Sequence, residues 1–331
     1  MRRPLRVLTT DRVPGFVHAL ATLAHAAPGT VARLDVIVPD PGDPAAWWTR
    51  QREVPASARA VRPATAARGL DRGAYDAVIA HGLGDAARLH RPGLPLVVVH
   101  HETRELLDAQ GDGPDTWPSS LAKALASATR IYTNAQAAAS WAVPGTIIAP
   151  AVDPLLWPLG DLSRAEAVTV APFAIERAAT DIAYALAEAS REVPITVLGL
   201  NPSLGITGDT ASRARRRDAF RTHRAYVNLV NPHLEGPTPY PLLEAMAAGL
   251  PIVTLRHPES PVVDGVNGFA CDDPRMLGAR LRLLMEHPVS AIRLGTAARR
   301  SVFDRYSLTA FQAAWIRVLD ALAAQPARRI A

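Results

Sequence analysis

Cysteine and lysine are almost missing from this 331-residue chain: Cys271 is the one cysteine and Lys123 the one lysine. A single thiol excludes an internal disulfide framework and fits a reducing compartment, so a cytoplasmic location is expected. Cys271 itself, at the end of an apolar run, reads as a small buried apolar residue. No stretch reaches the roughly 18 consecutive apolar residues of a membrane span. Arg6 and Asp11 interrupt the apolar N-terminal segment, which therefore reads as a first strand rather than a signal peptide. A basic domain is missing too. Residues 1–150 carry 16 Arg and Lys against 13 Asp and Glu, and residues 151–331 carry 20 against 18, so the formal +5 is spread over both halves. The use of arginine in place of lysine throughout fits a GC-rich coding sequence better than selection for phosphate backbones.

What is present is alternation. Short apolar runs at residues 5–9, 34–38, 76–80, 95–99, 130–133 and 146–149 have the continuous apolar character of strands covered on both faces, as in a parallel sheet. Phe16, Leu20, Leu23 and Ala27 mark a helix face behind the first. Pro150, Pro154 and Pro158 then break the pattern as a linker. A second alternating unit follows: strands at 167–171, 195–199, 225–230 and 251–255, a helix near 177–190 and an arginine-rich helix before residue 225. Arg213, Arg217, Arg221 and Arg224 recur there at helical spacing, which reads as a solvated face ahead of an anion site. Three helical stretches end the chain. The last has Ser307 as N-cap and Leu308, Phe311, Trp315, Val318 and Leu322 as one apolar stripe. At roughly 100–200 residues per domain, two domains are expected.

The densest signal is EGPTPYPLLEAMAAGLPIV, residues 235–253. Pro237, Pro239 and Pro241 forbid helix through the turn, yet a proline suits a first helical position, so a helix is expected from Tyr240 or Pro241. Gly249 stands where a left-handed C-terminal cap is wanted, before a buried strand. Glu235 then lies outside the helix and Glu244 near its start. The N–H groups of Gly236, Thr238 and Tyr240 form a candidate anion cradle beside two carboxylates able to accept from hydroxyls. Read alone, Leu-Leu-Glu-Ala-Met-Ala is also compatible with an ordinary core helix bearing a surface glutamate.

This segment resembles the signature of the retaining GT-B glycosyltransferases of the family-four type (glycosyl transferases group 1). Asp264-Gly265-Val266-Asn267-Gly268-Phe269 and Ile147-Ile148-Ala149-Pro150 are similar to further parts of that family, and the resemblance fades toward the N-terminus. It implies an α/β fold of two Rossmann-like parallel-sheet domains facing across a cleft. An N-terminal acceptor-side domain would cover residues 1–150, a linker 151–165, a donor-binding domain 166–305, and a C-terminal helix, 306–331, packing back toward the N-terminal domain.

By the same resemblance Glu235 contacts the donor sugar and Glu244 the ribose of a nucleotide diphosphate sugar, with eight residues between them where the family has seven. Arg177 falls where the family has a diphosphate-gripping lysine, while Pro172 stands at its arginine. His100 and His101, after the strand 95–99, are candidates for the reacting face, with His100 preferred as the first polar residue and His81 a weaker alternative. Gly15 is the survivor of a glycine-rich turn. The family needs no metal, so none is expected, nor a cofactor beyond the donor. Asp272 and Asp273 read as helix capping.

The implied activity is a retaining, metal-independent glycosyl transfer, hexosyl or pentosyl. The acceptor is left open among glycan, small molecule, protein and, as a minor variant carried by the arginine cluster, nucleic acid. The alternatives are a nucleotide-sugar isomerase of the same fold and a sugar-nucleotide-binding relative without catalysis. Trp47 and Trp48 read as loop anchors.

Overall fold

The computed structural model describes residues 3–38, 58–111, 122, 125–175, 181–208 and 211–324. Arg177, Trp47, Trp48 and Lys123 lie outside the described residues. The chain divides into two compact units, the first formed by Met1–Ala151 with Leu308–Ala331 and the second by Val152–Ser307.

In the first unit seven strands make one parallel sheet: β1 (Leu5–Thr10), β2 (Val31–Ile37), β3 (Arg59–Val61), β4 (Ala77–His81), β5 (Leu96–His100), β6 (Thr129–Tyr132) and β7 (Thr146–Ile147). Their order is β3-β2-β1-β4-β5-β6-β7. Every residue of β4 and β5 is buried, as expected of strands covered on both faces. Strand β3 was not foreseen. It is three residues long with only Val61 buried, too short and polar to register as an apolar run. Instead Arg59 is fixed by a bidentate ion pair to the buried Asp35 of β2, whose carboxylate also accepts from the Tyr75 hydroxyl at 3.0 Å.

The helix Leu308–Ala324 belongs to this unit although it follows the other in sequence. It packs on the helix Pro14–Ala26: the Phe16 ring meets Phe311 at 5.2 Å and Trp315 at 5.8 Å, edge to face. Gln312 donates to the Thr22 hydroxyl at 2.8 Å beside them. The buried stripe is Phe311, Trp315, Leu319 and Leu322; Val318 is only half-buried, because the 3.6-residue period brings Leu319 rather than its neighbour onto the packed face.

In the second unit five parallel strands, β8 (Arg164–Val170), β9 (Ile195–Leu198), β10 (His223–Asn228), β11 (Ile252–Leu255) and β12 (Gly268–Cys271), run in the order β12-β11-β10-β8-β9. Cys271 is buried at the end of β12, and burial pushes its thiol up to about 11. The helices Ile182–Ser190, Met276–Glu286 and Pro288–Arg305 close the core. Neither Asp272 nor Asp273 is the N-cap of the helix Met276–Glu286, which is Arg275, but the Asp273 carboxylate accepts from the Arg275 backbone N–H at 2.9 Å just ahead of it; each carboxylate is also paired with an arginine, Asp272 with Arg256 and Asp273 with Arg275. No helix among the described residues is long and apolar enough to cross a membrane.

Candidate active site

In open parallel sheets ligands bind beyond the carboxyl ends of the strands, at the point where strand order reverses. In the second unit that point lies between β8 and β10. The segment after β10 carries Glu235 and Glu244.

Asn231 to Glu235 forms a single turn: the Glu235 N–H donates to the Asn231 carbonyl at 2.8 Å, and the Glu235 Oε2 accepts from the Asn231 N–H at 2.7 Å. The Asn231 side chain accepts from His233 N–H at 2.9 Å. This reciprocal bonding is the logic of a capping box, and it holds a buried carboxylate in one place. Gly236 and Thr238 follow, both half-buried, and their N–H groups make no hydrogen bond among the described residues.

The helix then runs Tyr240–Ala247. Leu242, Leu243, Ala245, Met246 and Ala247 are fully buried, each large side chain contributing roughly 1.5–3 kcal/mol. Gly249 takes φ +80° and Leu250 N–H returns to the Ala245 carbonyl at 3.1 Å, a left-handed cap closing the helix. The Arg299 guanidinium donates to the carbonyls of Ala247, Trp157 (2.7 Å) and Pro154 (3.2 Å), tying the end of this helix to the short turn Pro154–Leu156. Burial lowers the pKa of that guanidinium. On the other side, a β-carbon placed on Gly295 would fall on the Gly249 carbonyl oxygen, so helix Pro288–Arg305 touches the cap backbone to backbone.

Glu244 is not a surface residue; its side chain is 5% exposed. Arg216, from the helix Arg213–Thr222, grips it with two hydrogen bonds, Nε to Oε2 at 2.7 Å and a terminal nitrogen to Oε1 at 3.0 Å. The same guanidinium lies over the Trp157 ring, 5.8 Å from its centre, and donates to the Ala211 carbonyl. Arg216, which lies off the helical face expected for Arg213, Arg217, Arg221 and Arg224, is turned inward. The signal was present: Arg216 lies one turn before Ala219 and Phe220, the two buried residues of that helix. Arg224 is also withdrawn, donating to the carbonyls of Leu162 and Met285.

The loop after β8 faces this segment across the reversal point. Pro172 occupies it and Phe173 adopts a left-handed φ of 55°. Asn201 staples the loop from the neighbouring strand end: its amide donates to the carbonyls of Ala171 and Gly199, both at 3.0 Å, and its oxygen accepts from Ala174 N–H at 2.6 Å. Asn201 is fully buried, two residues beyond the strand expected at 195–199. The following helix starts at Ile182, later than the expected 177.

In the first unit the reversal lies between β1 and β4. Gly15 lies half-buried in the first turn of the helix Pro14–Ala26, directly after β1, and is not among the positive-φ glycines; the loop glycine that uses that freedom is Gly82, φ +83°, after β4. His100, the histidine preferred from the sequence, points into the core. His100 is the last residue of β5, in register with Tyr132 of β6, and its ring stacks on Tyr132 (5.0 Å) and lies tilted against Trp141 (4.5 Å) in the core. It is 2% exposed, its Nε2 is sealed without a partner, and burial lowers its pKa to about 3. Alternation along the strand sends His101 to the other face. There its Nε2 lies 2.9 Å from Nδ1 of His81, the last residue of β4, and both rings meet Phe16 edge to face at 5.1 and 5.5 Å.

The fold is that of the GT-B glycosyltransferases. HepE of Anabaena, solved with UDP and glucose, is 14% identical over 96% of this chain and 100% of its own, with a TM-score of 0.66. Sucrose-phosphate synthase of Thermosynechococcus elongatus is 14% identical over 96% of this chain and 99% of its own, at 0.64. TarM of S. aureus matches 77% of this chain at 14% identity and 0.57, and the chain spans 57% of TarM. Curated proteins give no match. Residues 183–287, which include Arg216, Glu235 and Glu244, match the family model described as Glycosyl transferases group 1, so the family to which the glutamate segment pointed is the one found.

Proposed function

We propose that the protein is a retaining glycosyltransferase that takes a sugar from a nucleoside diphosphate donor without a metal ion. One observation carries the reading: two buried carboxylates, Glu235 and Glu244, bracket a proline-rich turn at the strand-order reversal of the unit that carries the family match. Breaking a bond from sugar to diphosphate builds positive charge at the anomeric carbon and negative charge on the leaving phosphate. The site must therefore offer acceptors to the sugar and donors to the phosphate. Glu235 accepts from sugar hydroxyls and Glu244 from the ribose. Gly236 and Thr238 N–H groups, with Arg177, meet the diphosphate, and the leaving phosphate takes the acceptor's proton.

HepE has been solved with UDP-glucose, which supports a nucleotide sugar as donor. The second reading, a sugar-nucleotide-binding relative without transfer, is favoured by Pro172 at the position of a cation. A thermal-shift screen of UDP-, GDP- and ADP-sugars with their bare nucleotides separates the cases, since a ligand of the folded state raises the melting temperature. A shift with transfer to an acceptor panel, retention of anomeric configuration in the product by NMR and indifference to chelator supports the proposal. A shift without transfer or hydrolysis supports the second reading, and no shift across the panel refutes both.

A further inference from the structure

Glu244 already has a partner on each of its carboxylate oxygens. Oε2 accepts from Nε of Arg216 at 2.7 Å, and Oε1 accepts from a terminal nitrogen of the same guanidinium at 3.0 Å. The glutamate side chain is 5% exposed and the arginine side chain 17%, so the arginine is the more accessible of the two. The helices that carry the pair, Arg213–Thr222 and Tyr240–Ala247, and the Trp157 ring beside the guanidinium all belong to the second unit. Two N–H donors aimed at one carboxylate are also what a vicinal diol offers with its two hydroxyls. With so little of the carboxylate exposed, a ribose that hydrogen-bonds Glu244 has to take over contacts that Arg216 makes.

That exchange has an electrostatic condition. A neutral diol would satisfy the carboxylate and leave the guanidinium without its counter-charge, and splitting a largely buried pair in this way is strongly unfavourable. A ligand that carries negative charge beside its diol removes the penalty, because the guanidinium changes partner instead of losing one. Arg216 keeps other contacts through such a change: the Trp157 ring, 5.8 Å from its guanidinium, and the Ala211 carbonyl do not depend on Glu244. Other cations are scarce at these strand ends. Among the described residues, 171–175 after β8, 199–208 after β9 and 229–239 after β10 contain no arginine or lysine, and Arg256, after β11, is paired with Asp272.

We propose that Arg216 selects for nucleotides: it clamps Glu244 in the ligand-free protein, yields that carboxylate to the ribose, and passes its guanidinium to the diphosphate. The two new partners arrive together because the phosphates are esterified to the ribose. This rests on the ribose role of Glu244 proposed above and deepens it, by naming a diphosphate-binding residue that stands in for the cation Pro172 leaves out. Nucleosides and neutral sugars are refused because they bring hydroxyls without charge.

Isothermal titration calorimetry with uridine, guanosine and adenosine, and with UDP, GDP and ADP, reads the ratio of nucleoside to diphosphate dissociation constants. The native protein should strongly favour the matching diphosphate. Arg216→Lys, whose compact ammonium cannot form the two-pronged pair, should bind the nucleoside about tenfold tighter while the diphosphate changes little. Arg216→Gln has no charge to pass on, so it should bind the nucleoside tighter and the diphosphate about tenfold weaker. The dideoxynucleoside, with no diol to replace the guanidinium, should gain nothing from either substitution. Arg217→Met, one residue on and exposed, should leave both constants unchanged. Parallel weakening of nucleoside and diphosphate, the result of a purely structural Arg216, overturns the proposal, and so do unchanged affinities or an equal gain for the dideoxynucleoside. Should Arg216→Gln fail to fold, Arg216→Lys, which keeps a positive charge against the buried carboxylate, decides alone. If the native protein binds no nucleotide, the ribose role of Glu244 fails and this proposal with it, whereas native binding with parallel losses strikes the proposal alone.

Discussion

The two units solve the same problem, a polar group buried at the strand-order reversal of a parallel sheet, by opposite means. The second unit buries charge and pairs it: Glu244 is clasped by Arg216, and the surrounding turns are fixed by Asn231, Asn201 and Arg299. The first unit buries imidazoles and discharges them: His81, His100 and His101 all have pKa values lowered mainly by burial. The difference teaches what each can recognise. A paired carboxylate keeps its charge wherever the guanidinium holds it, and a neutral imidazole is a directional acceptor or donor whose sense depends on its neighbours.

The contrast breaks most sharply at the ion pair. Arg216→Met should destabilise the protein by about 3–5 kcal/mol, because it leaves a carboxylate buried without its partner. Glu244→Ala should cost a similar amount and abolish the thermal shift given by the correct nucleotide. A double replacement less damaging than the sum, measured by urea unfolding, would confirm that the two act as a unit. An undiminished nucleotide shift in Glu244→Ala would remove that residue from the ribose role.

The histidines predict the next effect, on pH. Their folded pKa values are depressed, so between the ordinary 6.5 and about 4 the unfolded chain binds a proton that folded His81 refuses. Stability should therefore fall as pH drops through that window, by about 3 kcal/mol for His81 alone, and level off below it. Urea midpoints at stepped pH check the slope. His100→Phe, which fills the space between Tyr132 and Trp141, should make the fall shallower.

Asn201→Ala removes three hydrogen bonds from a fully buried staple and should cost about 2–3 kcal/mol, read as a shift of the denaturant midpoint. The smallest expected effect sharpens the comparison best. Arg217, adjacent to Arg216 but exposed, should change stability by less than about 0.5 kcal/mol on replacement by Ala, so one position of register separates a surface residue from a structural one.

Much of this was legible before any coordinates. The buried strands announced themselves as Val-rich runs because a sheet covered on both faces leaves no room for alternation, and the prolines and Gly249 set the bounds of the glutamate helix. Strand β3 stayed hidden because an edge strand held by an ion pair needs little apolar surface. The choice between His100 and His101 depended on where β5 ends, and a one-residue change there exchanges the core face for the other. Arg216 and Asn201 escaped because their partners, Glu244 and Ala174, lie far along the chain, and a local pattern carries no record of a distant hydrogen bond.

The backbone contact between Gly249 and Gly295 has a consequence for how this protein can diversify. Gly295 cannot accept even a methyl group without pushing away the backbone that ends the helix carrying Glu244, while a methyl on Gly249 would strain its φ of +80° and meet the Leu159 side chain, so the seat of that glutamate tolerates little change. New ligand preferences are then expected upstream, in residues 236–239, between the fixed Asn231–Glu235 turn and that anchor.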